Sequence, residues 1–175
     1  MPRPTRRQHR TVLATTSLTP LRTPPELLAA PGYLARRLYQ SYVSIWAQRV
    51  DGRLTGPQFA VLVAVGRAPG LDQGSLAAAV ALDRSTMADI ARRLEERALI
   101  TRTVDEVDGR RKVLGLTEAG TSLLEATNLR ARQLDELLLD GLDAHERARV
   151  MQVLEHLSAR WAVLASGEPD VGGGG

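Results

Sequence analysis

Cysteine is absent from this 175-residue chain. Disulfides, thiolate metal sites and thiol-based redox sensing are therefore excluded, and a reducing cytoplasm is the expected compartment. Aromatic residues are scarce: three Tyr, two Trp and one Phe. Lysine is scarcer still. Of 23 basic residues only Lys112 is Lys, and the rest are Arg. No apolar run is long enough to cross a bilayer. The segment "TVLATTSLTPL" after the basic start is too polar for the hydrophobic region of a secretory leader. Histidine is limited to His9, His145 and His156, too dispersed for a zinc cluster. Catalytic signatures are missing too. There is no Gly-rich phosphate loop, no nucleophile elbow, no metal-ligand spacing and no Ser/His/Asp set. The paired acids Glu95 and Glu96 sit on a solvated helix face. The expectation is a protein that is not an enzyme and uses no cofactor or metal.

What is present is an Arg-rich chain of formal net charge +3 and pI about 9.9. Arginine's planar fork suits phosphates and guanine edges. A GC-rich genome also inflates the Arg total, so only the placement of the arginines is informative. The hydrophobic content of 43% is enough for a core, and the length suits one domain with an added dimerisation region.

Residues 1–30 carry Arg3, Arg6, Arg7, Arg10 and Arg22, several Pro, and no acid before Glu26. They read as a disordered basic arm, either following a DNA groove or simply solvated. Residues 31–54 read as a dimerisation helix, on which Leu34, Leu38, Tyr42, Ile45 and Trp46 share one face. In "LTGPQFAVL", Thr55 and Gln58 form a capping box, Leu54 and Phe59 a hydrophobic staple, and Pro57 falls in the first turn. Asp72 and Asp83 then cap two short helices separated by a tight turn, which is the helix-turn-helix pattern. On the second of these helices Met87, Ile90, Ala91 and Leu94 form a buried stripe. Arg84, Ser85, Thr86, Asp89 and Arg92 lie on or beside the other face, where small and polar groups suit a major groove. Taken alone, that helix is equally an ordinary solvated amphipathic one.

A β-hairpin follows, with Ile100 and Val104 in one strand and Val113, Leu114 and Leu116 in the other. Asp108–Gly109 supplies the turn, and Arg110, Arg111 and Lys112 a charged tip. Asp108 is expected to orient Arg110 toward a minor groove. The order is that of a mainly α winged helix-turn-helix with a small β-hairpin wing, residues 55–117. Two long helices over 118–165 carry 3-4 apolar seams, Leu124, Thr127, Ala131, Leu134 and Leu138, then Val150, Leu154, Leu157, Trp161 and Leu164. They serve either a partner chain or packing against residues 31–50, and the dimer is the favoured reading. Residues 166–175 form a Gly-rich flexible tail.

Over residues 31–165 the chain resembles the MarR family of bacterial transcriptional regulators. The segments that carry the likeness are "LTGPQFAVL", "LDRSTMADIARRLEERALITR" and "DEVDGRRKVLGLTEAG". The last matches the family's wing and "LT-x-x-G" helix start through Asp108, Arg110, Leu116, Thr117 and Gly120. Ala98 departs from it, because the family usually has Gly at the end of the recognition helix. The resemblance implies a homodimer on a pseudo-palindromic duplex operator, commonly a repressor. It also implies release by a small ligand, often an aromatic or phenolic carboxylate, held between the dimerisation helices and the DNA-binding domain. Arg36 with Tyr39, Tyr42, Trp46 and Phe59 forms the candidate ligand wall, suited to an aromatic carboxylate or its thioester. The same rings equally suit a dimer core. The alternatives are a winged-helix protein–protein module or an architectural DNA binder without a ligand. A single-strand binder would need stacking aromatics, and the helix-turn-helix and wing have none.

Overall fold

The computed structural model describes residues 23–104 and 111–167. Seven helices and one two-stranded antiparallel sheet occur among them, in the order α1 (Pro25–Leu28), α2 (Pro31–Arg49), α3 (Gly56–Arg67), α4 (Gln73–Ala79), α5 (Arg84–Glu96), β1 (Ile100–Val104), β2 (Lys112–Leu116), α6 (Glu118–Leu138) and α7 (Ala144–Ser166). The expected basic arm lies largely outside the described residues, but its last part forms α1 rather than coil. The tip residues Asp108, Gly109 and Arg110 also lie outside them. The chain divides into two compact units, residues 1–40 and 41–175, with the boundary inside α2.

In the first unit, Arg36 stacks its guanidinium 5.5 Å from the Tyr33 ring centroid and donates to Gln40 Oε1 at 3.3 Å. Leu34, Leu38 and Tyr39 are exposed on the same stretch.

The second unit is built on capped helices. Thr55 and Gln58 form the expected capping box at the start of α3, each side chain accepting from the other's backbone N–H. This satisfies two of the amide donors that a helix start leaves free. Asp72, Asp83 and Thr117 cap α4, α5 and α6, and Asp143 with Glu146 forms a second capping box on α7. The expected first helix through residue 54 is too long. It stops at Arg49, and Asp51 Oδ1 accepts from the Arg53 and Leu54 amides to turn the chain. Leu54 is itself fully buried, and its carbonyl accepts from the Trp46 indole N–H at 2.6 Å.

The main core joins Leu54, Val61, Leu62 and Val65 to Leu76, Met87, Ile90, Ala91 and Leu94, and to Ile100 and Leu114 of the hairpin. The stripe expected on α5 is thus the buried one. A smaller cluster holds Trp46, Val50, Ala131 and Leu134, with Tyr42, Ile45 and Phe59 packed against it. Of the two readings of the α6 seam, packing against residues 31–50 rather than the favoured partner chain accounts for its central residues. Thr127, Ala131 and Leu134 are buried within the chain, and only Leu138 at the end of the row is exposed. Helix α7 differs, because it has no buried residue.

Helices α4 and α5 both end in a Schellman motif whose left-handed residue is alanine. Ala81 and Ala98 each have φ 53°. The Ala81 and Leu82 amides donate to the Ala78 and Ala77 carbonyls at 3.2 and 2.9 Å, and the Ala98 and Leu99 amides to the Glu95 and Leu94 carbonyls at 2.8 and 2.9 Å. The departure at Ala98 therefore leaves the turn intact: the geometry that glycine favours is adopted by alanine.

Candidate nucleic-acid interface

Helix α5 is fastened at its start by Asp83. One carboxylate oxygen accepts from the Thr86 amide at 2.9 Å and from the Ser85 hydroxyl at 2.6 Å, and the other from the Thr86 hydroxyl at 2.6 Å. These bonds, the Ser85 hydroxyl first, hold the Asp83 carboxyl well below the usual carboxylate range. Ser85 and Thr86 thus spend their hydroxyl protons on the cap, and their lone pairs stay open. Arg84 is exposed at the first turn and makes no hydrogen bond or ion pair with the described residues.

One turn further on, the expected contacts Asp89 and Arg92 are bonded to each other. Arg92 Nη2 donates to Asp89 Oδ1 and Nη1 to Glu96 Oε1, both at 2.6 Å, while Arg93 Nε meets Asp89 Oδ2 at 2.9 Å. Arg92, and next Arg93, lowers the Asp89 pKa, and Asp89 with Glu96 raises that of Arg92.

The wing is anchored more heavily than its sequence suggests. Strands β1 and β2 pair from Ile100↔Leu116 to Val104↔Lys112. The segment before α4 makes an isolated antiparallel bridge to β2: Asp72 bridges Val113, the Leu114 amide donates to the Leu71 carbonyl at 3.4 Å, and the Gly70 amide to the Leu114 carbonyl at 3.4 Å. Arg111 Nη2 reaches Asp72 Oδ2 at 2.6 Å. Bonds from Ser75, then Arg111, hold the Asp72 carboxyl well below its usual range. Arg102 of β1, with its side chain only 19% exposed, donates to Gln73 Oε1 at 2.9 Å and pairs with Glu95 Oε2 at 3.3 Å. A strand residue thereby joins the starts of α4 and the end of α5. Lys112 is exposed at the base of the wing.

Sequence reasoning assigned no role to Arg102 or to the Asp72–Val113 bridge. Nothing local marks them, since both depend on pairing across tens of residues. Thr117 and Gly120 explain the helix start after the wing. Thr117 donates its hydroxyl to the Ala98 carbonyl at 2.7 Å and its amide to the Leu99 carbonyl at 3.2 Å. A Cβ on Gly120 would lie 1.9 Å from the Leu99 carbonyl oxygen. The "LT-x-x-G" motif is thus a clamp of α6 onto the end of α5.

A capped helix-turn-helix, a two-stranded wing bridged to the segment before α4 and this clamp agree with a match to the family model described as "MarR family" over residues 54–111. The chain is 35% identical over 145 residues to the HTH-type transcriptional repressor NicR of Pseudomonas putida, covering 82% of this chain and 92% of that protein. The chain belongs to the MarR family. Among solved structures it is similar to the PcaV transcriptional regulator of Streptomyces coelicolor in complex with its natural ligand, with TM-score 0.74, 37% identity, and 76% and 94% of the two chains covered. It is also similar to Bordetella bronchiseptica BpsR, whose DNA binding is regulated by 6-hydroxynicotinic acid, with TM-score 0.66, 32% identity, and 73% and 97% covered. DNA complexes occur among the other structures of similar fold. The chain is thus a MarR-type transcriptional regulator whose partner is double-stranded DNA.

The candidate ligand residues are spread over two helices. Arg36 and Tyr39 fall in the first unit, with Tyr39 58% exposed. Tyr42, Trp46 and Phe59 fall in the second and form a ring chain with centroids 5.9 and 5.2 Å apart. Trp46 is 4% exposed and belongs to the small core. A separate open cleft of about 570 Å³ lies between α3, β2 and α6, and Arg67, Asn128 and Arg132 are among its lining residues. Among the described residues no group of His, Asp and Glu is placed to hold a metal. No described helix is long and apolar enough to cross a membrane.

Proposed function

We propose that this MarR-family chain works as a homodimeric repressor that leaves its operator when an aromatic or phenolic carboxylate, or its thioester, binds. The observation that carries the dimer is α7. Leu154, Leu157, Trp161 and Leu164 recur at 3-4 spacing and are 46%, 37%, 39% and 61% exposed. A row of that kind in a 23-residue helix with no buried residue is the sort of apolar surface that protein association covers. Two reading helices related by a two-fold axis then match half-sites about one helical turn apart.

In this reading Arg84, Ser85, Thr86, Asp89 and Arg92 face the major groove. Arg111 and Lys112, at the base of the wing, lie beside phosphates. Support for the ligand class comes from BpsR, which answers to a hydroxylated aromatic carboxylate, and from the chemistry of Arg36, Tyr39, Tyr42, Trp46 and Phe59. Phe59 and Tyr42 are only partly buried and suit an apolar wall, and Arg36 is the cation among these residues. The cleft holding Arg67, Asn128 and Arg132 offers a second place for a carboxylate.

The test enriches a duplex from a random pool on the full chain and measures its release by 6-hydroxynicotinate and related hydroxybenzoates. Release should occur, and light scattering should give a dimer mass. A monomer that binds the duplex defeats the dimer reading. Undiminished binding at millimolar concentrations of the whole panel defeats the ligand class. Separate Arg36→Ala and Arg132→Ala variants identify which cation holds the ligand.

A further inference from the structure

Helix α5 carries its own counter-charges, and they are placed selectively. Arg92 and Arg93 are cancelled by Asp89 and Glu96 on the same helix, whereas Arg84 at the helix start has no such partner among the described residues. All four paired side chains are open to solvent: 52% for Arg92, 44% for Asp89, 59% for Glu96 and 58% for Arg93. They add little to stability, because exposed ion pairs are weak. Their effect falls on what the arginines do next.

Sequence-independent DNA binding is driven by cations that neutralise phosphates and release counterions. A guanidinium already paired with carboxylates gains little by moving to a phosphate, since it exchanges one anion for another. Base-edge recognition depends instead on directed hydrogen bonds. The Nη1 and Nη2 groups of Arg92 each keep a second N–H after bonding Glu96 and Asp89. The two carboxylates also fix the plane of the fork along the helix. The cluster therefore suppresses the phosphate term while leaving the bidentate donors that suit guanine O6 and N7.

We propose that Asp89 is a specificity-determining positioning residue. It restrains Arg92 and Arg93 from indiscriminate phosphate binding and presents Arg92 as an oriented fork to the base edges. The proposal rests on the reading of α5 as the groove-facing helix.

The test compares two duplexes across a NaCl series: one enriched from a random pool by the unmodified full chain, and a scrambled one of the same base composition. Asp89→Asn should bind the scrambled duplex about three- to tenfold more tightly, with a salt slope steeper by about 1 for each reading helix. Its affinity for the enriched duplex should change less, so the ratio between the two falls. Asp89→Glu keeps the charge and should restore most of the ratio. Glu96→Gln, which frees only one side of Arg92, should move it the same way but less. Unchanged affinity and slope on the scrambled duplex, or an equal change on both duplexes, overturns the proposal. Arg92→Ala separates this failure from that of the underlying reading. If Arg92→Ala lowers the ratio and Asp89→Asn does not, only the role of Asp89 falls. If neither alters it, α5 is not reading the duplex through this face, and both fall.

Discussion

Replacing Ala81 or Ala98 by glycine should stabilise the protein, although each removes a methyl group and lowers helix propensity nearby. Both alanines hold φ 53°, where the Cβ crowds a carbonyl oxygen at a cost of about 1–2 kcal/mol that glycine does not incur. Glycine gives back about 0.4–1 kcal/mol through the greater freedom of the unfolded chain. The difference is a gain of roughly 0.5–1 kcal/mol at each site. Because they cap different helices, the double variant should gain about 1–2 kcal/mol. In a chain of this size each kcal/mol moves Tm by about 2–4 °C. The Schellman bonds from Ala81, Leu82, Ala98 and Leu99 use backbone atoms and survive the change. Urea titration at fixed protein concentration is the assay, and the midpoint should rise with the slope unchanged. Ala78→Gly is the control. Ala78 is exposed inside α4, where glycine should cost about 0.5–1 kcal/mol. If Ala81→Gly and Ala98→Gly lower the midpoint as Ala78→Gly does, the assignment of stored backbone strain is wrong.

Gly120→Ala should destabilise by about 3 kcal/mol or more in the same titration, because the new Cβ would lie 1.9 Å from a backbone oxygen that cannot rotate away. Thr127→Val should stabilise by about 1 kcal/mol: Thr127 is fully buried, its hydroxyl finds no hydrogen-bond partner among the described residues, and valine keeps the shape without the polar atom. Asp83→Asn should flatten the stability profile in acid. The folded Asp83 titrates well below its ordinary value of 3.8. Its contribution is therefore complete above that value and is lost as the pH falls below it toward the depressed folded value. Thermal melts between pH 2 and about 5 read this directly, and an unchanged acid limb would mean the cap does not depend on the charge.

The elements with local signals were legible in the sequence. Thr55 with Gln58, Asp72, Asp83, Thr117 and Asp143 with Glu146 all cap where their side chains predict, because a cap is decided within a few residues. The buried stripe of α5 and the two wing strands were legible for the same reason: periodicity is local. The α6 seam shows the limit. A 3-4 row is the same whether it faces another chain or its own, and here Ala131 and Leu134 meet Trp46 and Val50. The seam of α7 is written in the same pattern, yet it stays exposed.

The candidate interface divides in the same way. Which residues occupy the exposed side of α5 follows from helical spacing. That Arg92 is committed to Asp89 and Glu96 also lies within one helix, since residues three and four apart are neighbours. The anchoring of the wing is different. Arg111 meets Asp72 and Arg102 meets Gln73 at separations of 39 and 29 residues. Residues 70–72 bridge to β2 only because α4 folds back beside it. The sequence by itself determined where each helix begins, which face it buries and that a β-hairpin follows the helix-turn-helix, since these depend on spacing and capping within a turn or two. Only the tertiary structure decided which apolar seam the chain covers itself, and that the wing is held to the start of α4 by a β-bridge and two arginines. Those contacts join residues that no local pattern relates.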